Sequence, residues 1–166
     1  MMSVRWAILL LLAGSCATSR TALEPDAQFG HRYDGPAPDE SHTITITPAR
    51  EGETYRYYPA SFESVTVRPA PFSVSVPADS QQVEVEVLIK GALPDACMQL
   101  HSFVQERTGN IITATLEMRR AQSIVCASAR RPYRFYVMLD GRYGLGHYTL
   151  KLNSEAIPFE IRTPAS

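Results

Sequence analysis

The sequence predicts an all-β protein, an antiparallel β-sandwich of seven to nine strands preceded by a signal peptide and a flexible linker. From residue 41 onward, short runs alternate apolar with polar residues, which is typical of strands with one buried face. The 12 prolines and 9 glycines among 166 residues argue against long helices. The short strands recur at regular spacing, as they do in two-sheet sandwiches.

Residues 1–15 have the order of features that defines a secretory signal peptide. Arg5 is the only charged residue before the apolar run 7–13. That run is far shorter than the roughly 20 residues that a membrane-spanning helix needs. Small residues follow the apolar run and end at Cys16. A basic start, a short apolar core and small residues therefore predict a leader that is removed on export.

The stretch Ala13-Gly14-Ser15-Cys16 resembles the lipobox of bacterial lipoproteins, although leucine is usual at the first of these positions. The resemblance implies cleavage before Cys16 and a diacylglycerol on its thiol. Because Ala17 is not aspartate, it also implies the outer membrane of the bacterial cell envelope as the destination. The alternative is an ordinary signal peptide cut near Ala17, with Cys16 discarded.

In the rest of the chain, charge indicates the expected partners and composition indicates the domain boundaries. Removing residues 1–15 takes away only Arg5, which leaves 15 basic and 17 acidic side chains, so we expect no general affinity for nucleic acid. Residues 16–40 are rich in Pro and Gly, and we assign them to a flexible tether. We assign residues 41–163 to a single sandwich domain, which is long enough to bury a core.

The predicted strands follow from period-two alternation in order along the chain. The side chains that share one face of each predicted strand are His42, Ile44 and Ile46; Val65 and Val67; Phe72, Val74 and Val76; Val83, Val85, Val87 and Ile89; Ile112, Ala114, Leu116 and Met118; Phe135, Val137 and Leu139; Tyr148, Leu150 and Leu152; and Ile157, Phe159 and Ile161. Asn153-Ser154 suits a tight hairpin turn between the last two strands. Pro158 lacks an N–H group, so the last strand is expected at a sheet edge.

Apart from Cys16, the chain has two cysteines, Cys97 and Cys126. In an exported protein, an even pair indicates a disulfide. Two alternatives use the same residues. Cys97 and His101, four apart on one strand face, resemble a nucleophile and its base. The two cysteines with His101 also offer three zinc ligands, without an evident fourth. We predict the disulfide, with no catalytic residue, metal or cofactor.

Two segments carry a family resemblance. Gly91-Ala92-Leu93-Pro94-Asp95-Ala96-Cys97 is followed by Cys126, and Gly146-His147-Tyr148 opens a strand that leads into the final hairpin. Residues 62–162 thereby resemble a small immunoglobulin-like domain found in bacterial lipoproteins and secreted proteins. There, a Leu-Pro-Asp-x-Cys turn is tied to a later cysteine. The resemblance implies an immunoglobulin-like sandwich and an export route, but no defined activity. We interpret Asp95 as a turn residue that bonds its own backbone.

Two groups of residues are candidates for a binding surface. The first is the aromatic run Tyr55, Arg56, Tyr57 and Tyr58, because aromatic and Arg side chains are enriched at binding hot spots. The alternative is an edge strand on which Tyr55 and Tyr57 pack. The second group flanks Cys126 and consists of Arg119, Arg120, Arg130, Arg131 and Arg134. A disulfide would gather these arginines at one end, where they would hold a carboxylate-rich or phosphate-bearing partner; the alternative is a solvated basic end.

The sequence therefore predicts a non-enzymatic envelope lipoprotein, a binding or structural module held at a membrane. Its expected partners are the membrane, through the lipid anchor, and an envelope protein or glycan, and its oligomeric state stays open. An inhibitor or accessory subunit of a secreted enzyme or envelope machine is the second hypothesis. A hydrolase is the third, and the lack of any acid, base and nucleophile motif argues against it. We expect His31, His42 and His147 in the linker or on solvated faces.

Overall fold

The predicted β-sandwich is confirmed. The computed structural model describes residues 30–33, 42–72, 81–122 and 125–162, and within them the regular structure is strand alone. The strands are β1 Gly30–Tyr33, β2 His42–Thr45, β3 Tyr55–Pro59, β4 Phe62–Pro69, β5 Val85–Leu93, β6 Met98–Thr108, β7 Ile111–Ala121, β8 Arg131–Met138, β9 Gly146–Leu152 and β10 Glu155–Ile161. The signal peptide, Cys16 and the predicted strand at 72–76 beyond Phe72 lie outside the described residues.

The strands form two sheets. The four-stranded sheet has the order β1-β8-β5-β4, and the six-stranded sheet has the order β10-β9-β7-β6-β2 with β3 also paired to β7. Strand β1 lies inside the 16–40 segment that the sequence assigned to the tether, and it pairs in parallel with β8. Strands β7 and β9 are parallel as well, whereas the other pairs are antiparallel.

The period-two alternation places the core as predicted. In β5, Val85, Val87 and Ile89 are fully buried, and β7 alternates exposed with buried residues from Ile111 to Met118. The inner faces of the two sheets meet in one apolar cluster, in which the rings of Phe103 and Phe135 lie 5.5 Å apart. This core holds the strand ends in fixed positions, and the loops at those ends form the candidate site.

The final hairpin also follows the prediction. Asn153 adopts a left-handed φ of 52°, the conformation that a tight turn of this kind requires. Strand β10, which contains Pro158, lies at the edge of the six-stranded sheet, as its missing N–H group predicted. The Tyr148 hydroxyl donates to the carbonyl of Gly144 at 3.1 Å, a bond that ties the start of β9 back to its own loop.

Candidate functional site

Strand pairing brings two members of the arginine group beside the aromatic run. Strand β3 lies antiparallel to the C-terminal half of β7, with Tyr57 opposite Arg119 and Arg56 opposite Arg120. Successive side chains on a strand point to opposite faces. Consequently Tyr57 and Arg119 share the outer face of the six-stranded sheet, whereas Arg56 and Arg120 share the face that leads toward the core.

Arg119 corrects the prediction that it belongs to an exposed binding surface. Its side chain is only 1% exposed. The guanidinium carbon lies 4.1 Å from the centre of the Tyr55 ring, one Nη donates to the Pro48 carbonyl, and the other lies 3.4 Å from Nδ1 of His101. Because the loop before β3 and the Tyr55 ring cover this arginine, it stabilises the outer face and is not available to a partner.

The rest of the outer face is organised around Arg119. A register shift beside Leu100 places His101 at a β-bulge, and its ring centre lies 4.9 Å from that of Tyr57. The hydroxyl of Tyr55 bonds the Glu53 carboxylate and accepts from the backbone N–H of Arg50. Tyr55 therefore packs on the sandwich, as the edge-strand alternative predicted, while Tyr57 stays 50% exposed.

Asp95 has the turn role that the sequence indicated. Its Oδ1 accepts the backbone N–H groups of Cys97 and Met98 at 2.8 and 2.9 Å. Its other oxygen lies 3.1 Å from Nε of Arg120, whose side chain is 41% exposed. A single carboxylate therefore fixes the turn before β6 and also orients one arginine of β7.

The disulfide between Cys97 and Cys126 is present, with the two Cα atoms 5.7 Å apart. It ties the turn before β6 to the segment that joins β7 to β8. Asp95, Cys97 and Cys126 lie close enough to resemble a metal-ligand group. However, thiolates are the form that binds metals or acts as a nucleophile, and both sulfurs are used in the disulfide. His101 contacts Arg119. A zinc site and a cysteine nucleophile each need a thiolate, and neither Cys97 nor Cys126 supplies one in the disulfide.

The disulfide end carries a cleft of about 480 Å³. It is lined by Arg56, Tyr58, Arg120, Ala121, Gln122, Val125 and Cys126. Three of these residues come from the predicted binding surface. Val125 is fully exposed at the cleft, whereas Tyr58 packs partly against the core. A second and shallower hollow of about 550 Å³ adjoins it through Gln122 and is lined otherwise by the loop 50–54.

The remaining arginines do not converge on the cleft. Arg130 forms an exposed ion pair with Glu63. Arg131 donates to the Met98 carbonyl, close to the turn of Asp95. Arg134 is half-buried on β8, opposite Lys90 of the four-stranded sheet. The disulfide thus brings only part of the predicted arginine group to one place.

The opposite end of the sandwich holds a buried aromatic cluster. The ring of Tyr143 lies 5.2 Å from that of Tyr148 and 4.0 Å below the guanidinium of Arg107. Burial raises the pKa of the Tyr143 hydroxyl to about 12, and this hydroxyl donates to the Asp140 carbonyl at 2.9 Å. Arg107 in turn donates to the Arg142 carbonyl. These contacts pair the Tyr143 hydroxyl and the Arg107 guanidinium within the protein, so we interpret this cluster as structural.

Sequence reasoning missed the part of the cleft that Ala121, Gln122 and Val125 form. Ala121, Gln122 and Val125 lie in a stretch without alternation, and nothing in their local pattern marks a site. The feature of the sequence that could have revealed these residues is the Cys97–Cys126 pairing, because a disulfide that fixes Cys126 also fixes its neighbours.

His147 is 84% exposed, as expected, while the side chains of His31 and His42 lie outside the described part of the chain. Within that part there is no helix long and apolar enough to span a bilayer.

The comparisons with known proteins support the fold and leave the activity open. No curated protein and no solved structure matches the chain. Residues 87–161, which run from β5 to the end of β10, match the family model of the ORF11 beta-sandwich domain.

Proposed function

We propose that this protein is a non-enzymatic binding module of the bacterial cell envelope, held at a membrane by a lipid on Cys16. The observation that carries the binding role is the cleft at the disulfide end, where Arg56, Tyr58 and Arg120 line one hollow. Arginine and tyrosine are the side chains that most often anchor protein interfaces, because each combines a large contact area with directional polar groups.

The chemistry of the cleft favours binding over hydrolysis. Hydrolysis requires at least two titratable groups within hydrogen-bond reach, one of them able to take a proton near neutral pH. The described residues that line this cleft supply two arginines, an amide, a phenol, aliphatic groups and a disulfide sulfur. Such a set holds and orients a ligand without transferring a proton.

The anchor rests on the N-terminal sequence. We expect the mature chain to begin at Cys16 and to carry acyl mass there, which mass spectrometry of the purified protein measures directly. A Cys16→Ser variant should lose the acyl mass and leave the membrane fraction. An intact membrane association of the Cys16→Ser variant, or a mature terminus at another residue, would contradict the lipid anchor.

Site-directed photo-crosslinking tests the binding role in intact cells. A photoreactive benzoylphenylalanine replaces Val125, which is fully exposed at the cleft, and in a control it replaces Ile111, which is 42% exposed at the other end of the sheet. We expect one dominant envelope partner at position 125 and none at position 111. Equal, diffuse labelling at both positions would argue against a binding module. If the captured partner is an enzyme, its activity with and without this protein tests the inhibitor or accessory-subunit hypothesis.

A further inference from the structure

We infer that the cleft binds an extended acidic peptide of a partner protein, in which carboxylate side chains alternate with apolar ones. This inference rests on the proposed binding role and adds the class of ligand. Its basis is a pair of like charges, Arg56 and Arg120, that are cross-strand neighbours on one face of the sheet. They line a hollow that also presents exposed apolar surface.

The two arginines occupy directly opposed positions on antiparallel strands. Directly opposed side chains have Cβ atoms about 4.5–5.5 Å apart, and like charges at such positions oppose each other. Arg120 is compensated by Asp95 at 3.1 Å. Arg56 is exposed and forms no ion pair or hydrogen bond with any residue that the structure describes. Among the residues that the structure describes, the pair is therefore one negative charge short, and a bound anion would supply it.

Asp95 shows which anion fits. Its carboxylate already reaches Arg120 with one oxygen while the other oxygen holds two backbone N–H groups. A second carboxylate would find the Arg56 guanidinium without a partner among the described residues, and the Arg120 side chain already oriented. A guanidinium presents parallel N–H groups that match the two oxygens of a carboxylate, which gives short and charge-assisted hydrogen bonds.

The apolar part of the cleft favours a peptide over a sugar or a phosphate polymer. Val125 is fully exposed in the lining, and an exposed aliphatic side chain gains nothing from contact with a hydrated phosphate. Contact with an apolar side chain of a partner would remove this surface from water. An alternation of acidic and apolar residues therefore matches both parts of the lining.

The position of β3 favours an extended conformation. Strand β3 bonds to β7 on one side, and none of the strands in the described part of the chain pairs with its other side. An edge strand of this kind presents free backbone N–H and carbonyl groups, to which a peptide can add as a further strand. Arg56 and Tyr58 alternate along the same strand and would contact every second residue of such a peptide.

A matched set of ligands tests the inference on the full chain purified in mild detergent. The probes are a decapeptide that alternates Glu with Leu, the same peptide with Gln in place of Glu, inorganic pyrophosphate, and phosphatidylglycerol vesicles. We expect the Glu peptide to bind about tenfold more tightly than the Gln peptide, because charge-assisted hydrogen bonds to arginine are lost in the latter. Fluorescence anisotropy with labelled peptides measures this difference.

Three variants locate the binding. Arg56→Gln should abolish the preference for the Glu peptide, and Arg56→Lys should retain only part of it because an ammonium group cannot bond two oxygens side by side. Arg142→Gln removes an equal charge from an exposed site at the opposite end and should bind as the parent does. Thermal unfolding checks that each variant is folded.

The outcomes separate this inference from the proposed function. The acidic-peptide inference would be overturned if the Glu and Gln peptides bound equally well, or if neither peptide bound. Tighter binding of pyrophosphate or of the vesicles, sensitive to Arg56→Gln, would replace the acidic peptide with a phosphate-bearing ligand. If Val125 crosslinks a partner in cells while Arg56→Gln leaves that crosslink unchanged, the binding module stands and the acidic-peptide ligand is wrong.

Discussion

Asn153 is bonded to both backbone groups of Leu116. Its Oδ1 accepts the Leu116 N–H at 2.9 Å, and its Nδ2 lies 3.3 Å from the Leu116 carbonyl and 3.0 Å from the carbonyl of Ala60. Leu116 lies where β7 exchanges its partner β9 for β3. The turn of the last hairpin thus fills a gap in the sheet edge and fixes the end of β3, which carries Arg56 and Tyr58.

Asn153→Gly should destabilise the fold by about 1–3 kcal/mol, because it leaves the Leu116 N–H without its acceptor while glycine tolerates the left-handed conformation. Asn153→Ala should cost roughly 1 kcal/mol more, since alanine is strained at a φ of 52°. Urea unfolding measures both values. Ser154→Ala, at the exposed neighbouring turn position, is the control and should change stability little. Equal stability of Asn153→Gly and the parent would show that the bridge contributes nothing.

Two adjacent arginines should respond differently to truncation. Arg119→Ala removes a buried guanidinium from the Tyr55 ring and from the Pro48 carbonyl, so we expect a loss of about 2–4 kcal/mol. Arg120→Ala breaks a partly exposed ion pair and should cost about 1 kcal/mol or less. Chemical unfolding compares the two, and hydrogen exchange should rise in the loop 46–54 only for Arg119→Ala. A larger effect of Arg120→Ala would refute the covering role assigned to that loop.

The double variant Cys97→Ala with Cys126→Ala should be less stable by roughly 3–4 kcal/mol on the chain-entropy model, given a sequence separation of 29 residues. Equilibrium unfolding of the oxidised parent and the double variant gives this difference. Reduction of the parent should reproduce the loss, and it should leave the double variant unchanged. Sensitivity of the double variant to the reductant would point to an effect outside this bond.

Gly91 tolerates no side chain without movement of its neighbours. A Cβ atom there would lie 2.6 Å from the Ser61 carbonyl oxygen and 2.7 Å from the Tyr133 hydroxyl, which itself donates to Ser61 at 2.8 Å. We expect Gly91→Ala to cost about 1–3 kcal/mol through this overpacking. Combining it with Tyr133→Phe should restore part of the loss by removing one clashing atom. Purely additive effects in this double-mutant cycle would contradict the proposed clash.

High pH should destabilise the protein through its buried tyrosines. The pKa of Tyr143 is raised from its ordinary value near 10 to about 12, and burial also raises that of Tyr133. Because each phenol ionises more readily in the unfolded chain, keeping it neutral contributes to the stability of the fold. This contribution is fully present below pH 10. This stabilisation declines as the pH rises toward 12. Stability measured by urea unfolding from pH 8 to 11.5 should therefore fall, and Tyr143→Phe should make the fall shallower. An unchanged slope in Tyr143→Phe would exclude this residue as a cause.

The features that the sequence predicted well are local in origin. Alternation depends only on neighbouring residues, so β5, β7 and the last hairpin were evident, as was the bond pattern of Asp95. Strand β6 escaped because a bulge at His101 breaks its alternation, and β3 paired with β7 through a contact more than fifty positions away along the chain. The burial of Arg119 depends on that same pairing, since the loop before β3 and the Tyr55 ring cover it. Register between distant strands determines which of the candidate residues share a surface.

The direction of β1 has a consequence for orientation at a membrane. Gly30 lies beside Arg134 and Tyr33 beside Val137, so the chain enters β1 from the side of the sandwich that bears the disulfide and the cleft. Only 13 residues separate Gly30 from Cys16, which limits the distance between them to about 50 Å even when fully extended. A protein lipidated at Cys16 would therefore be tethered through the end of the sandwich that bears the cleft. The tether would then keep the cleft within reach of partners embedded in, or lying against, the same leaflet.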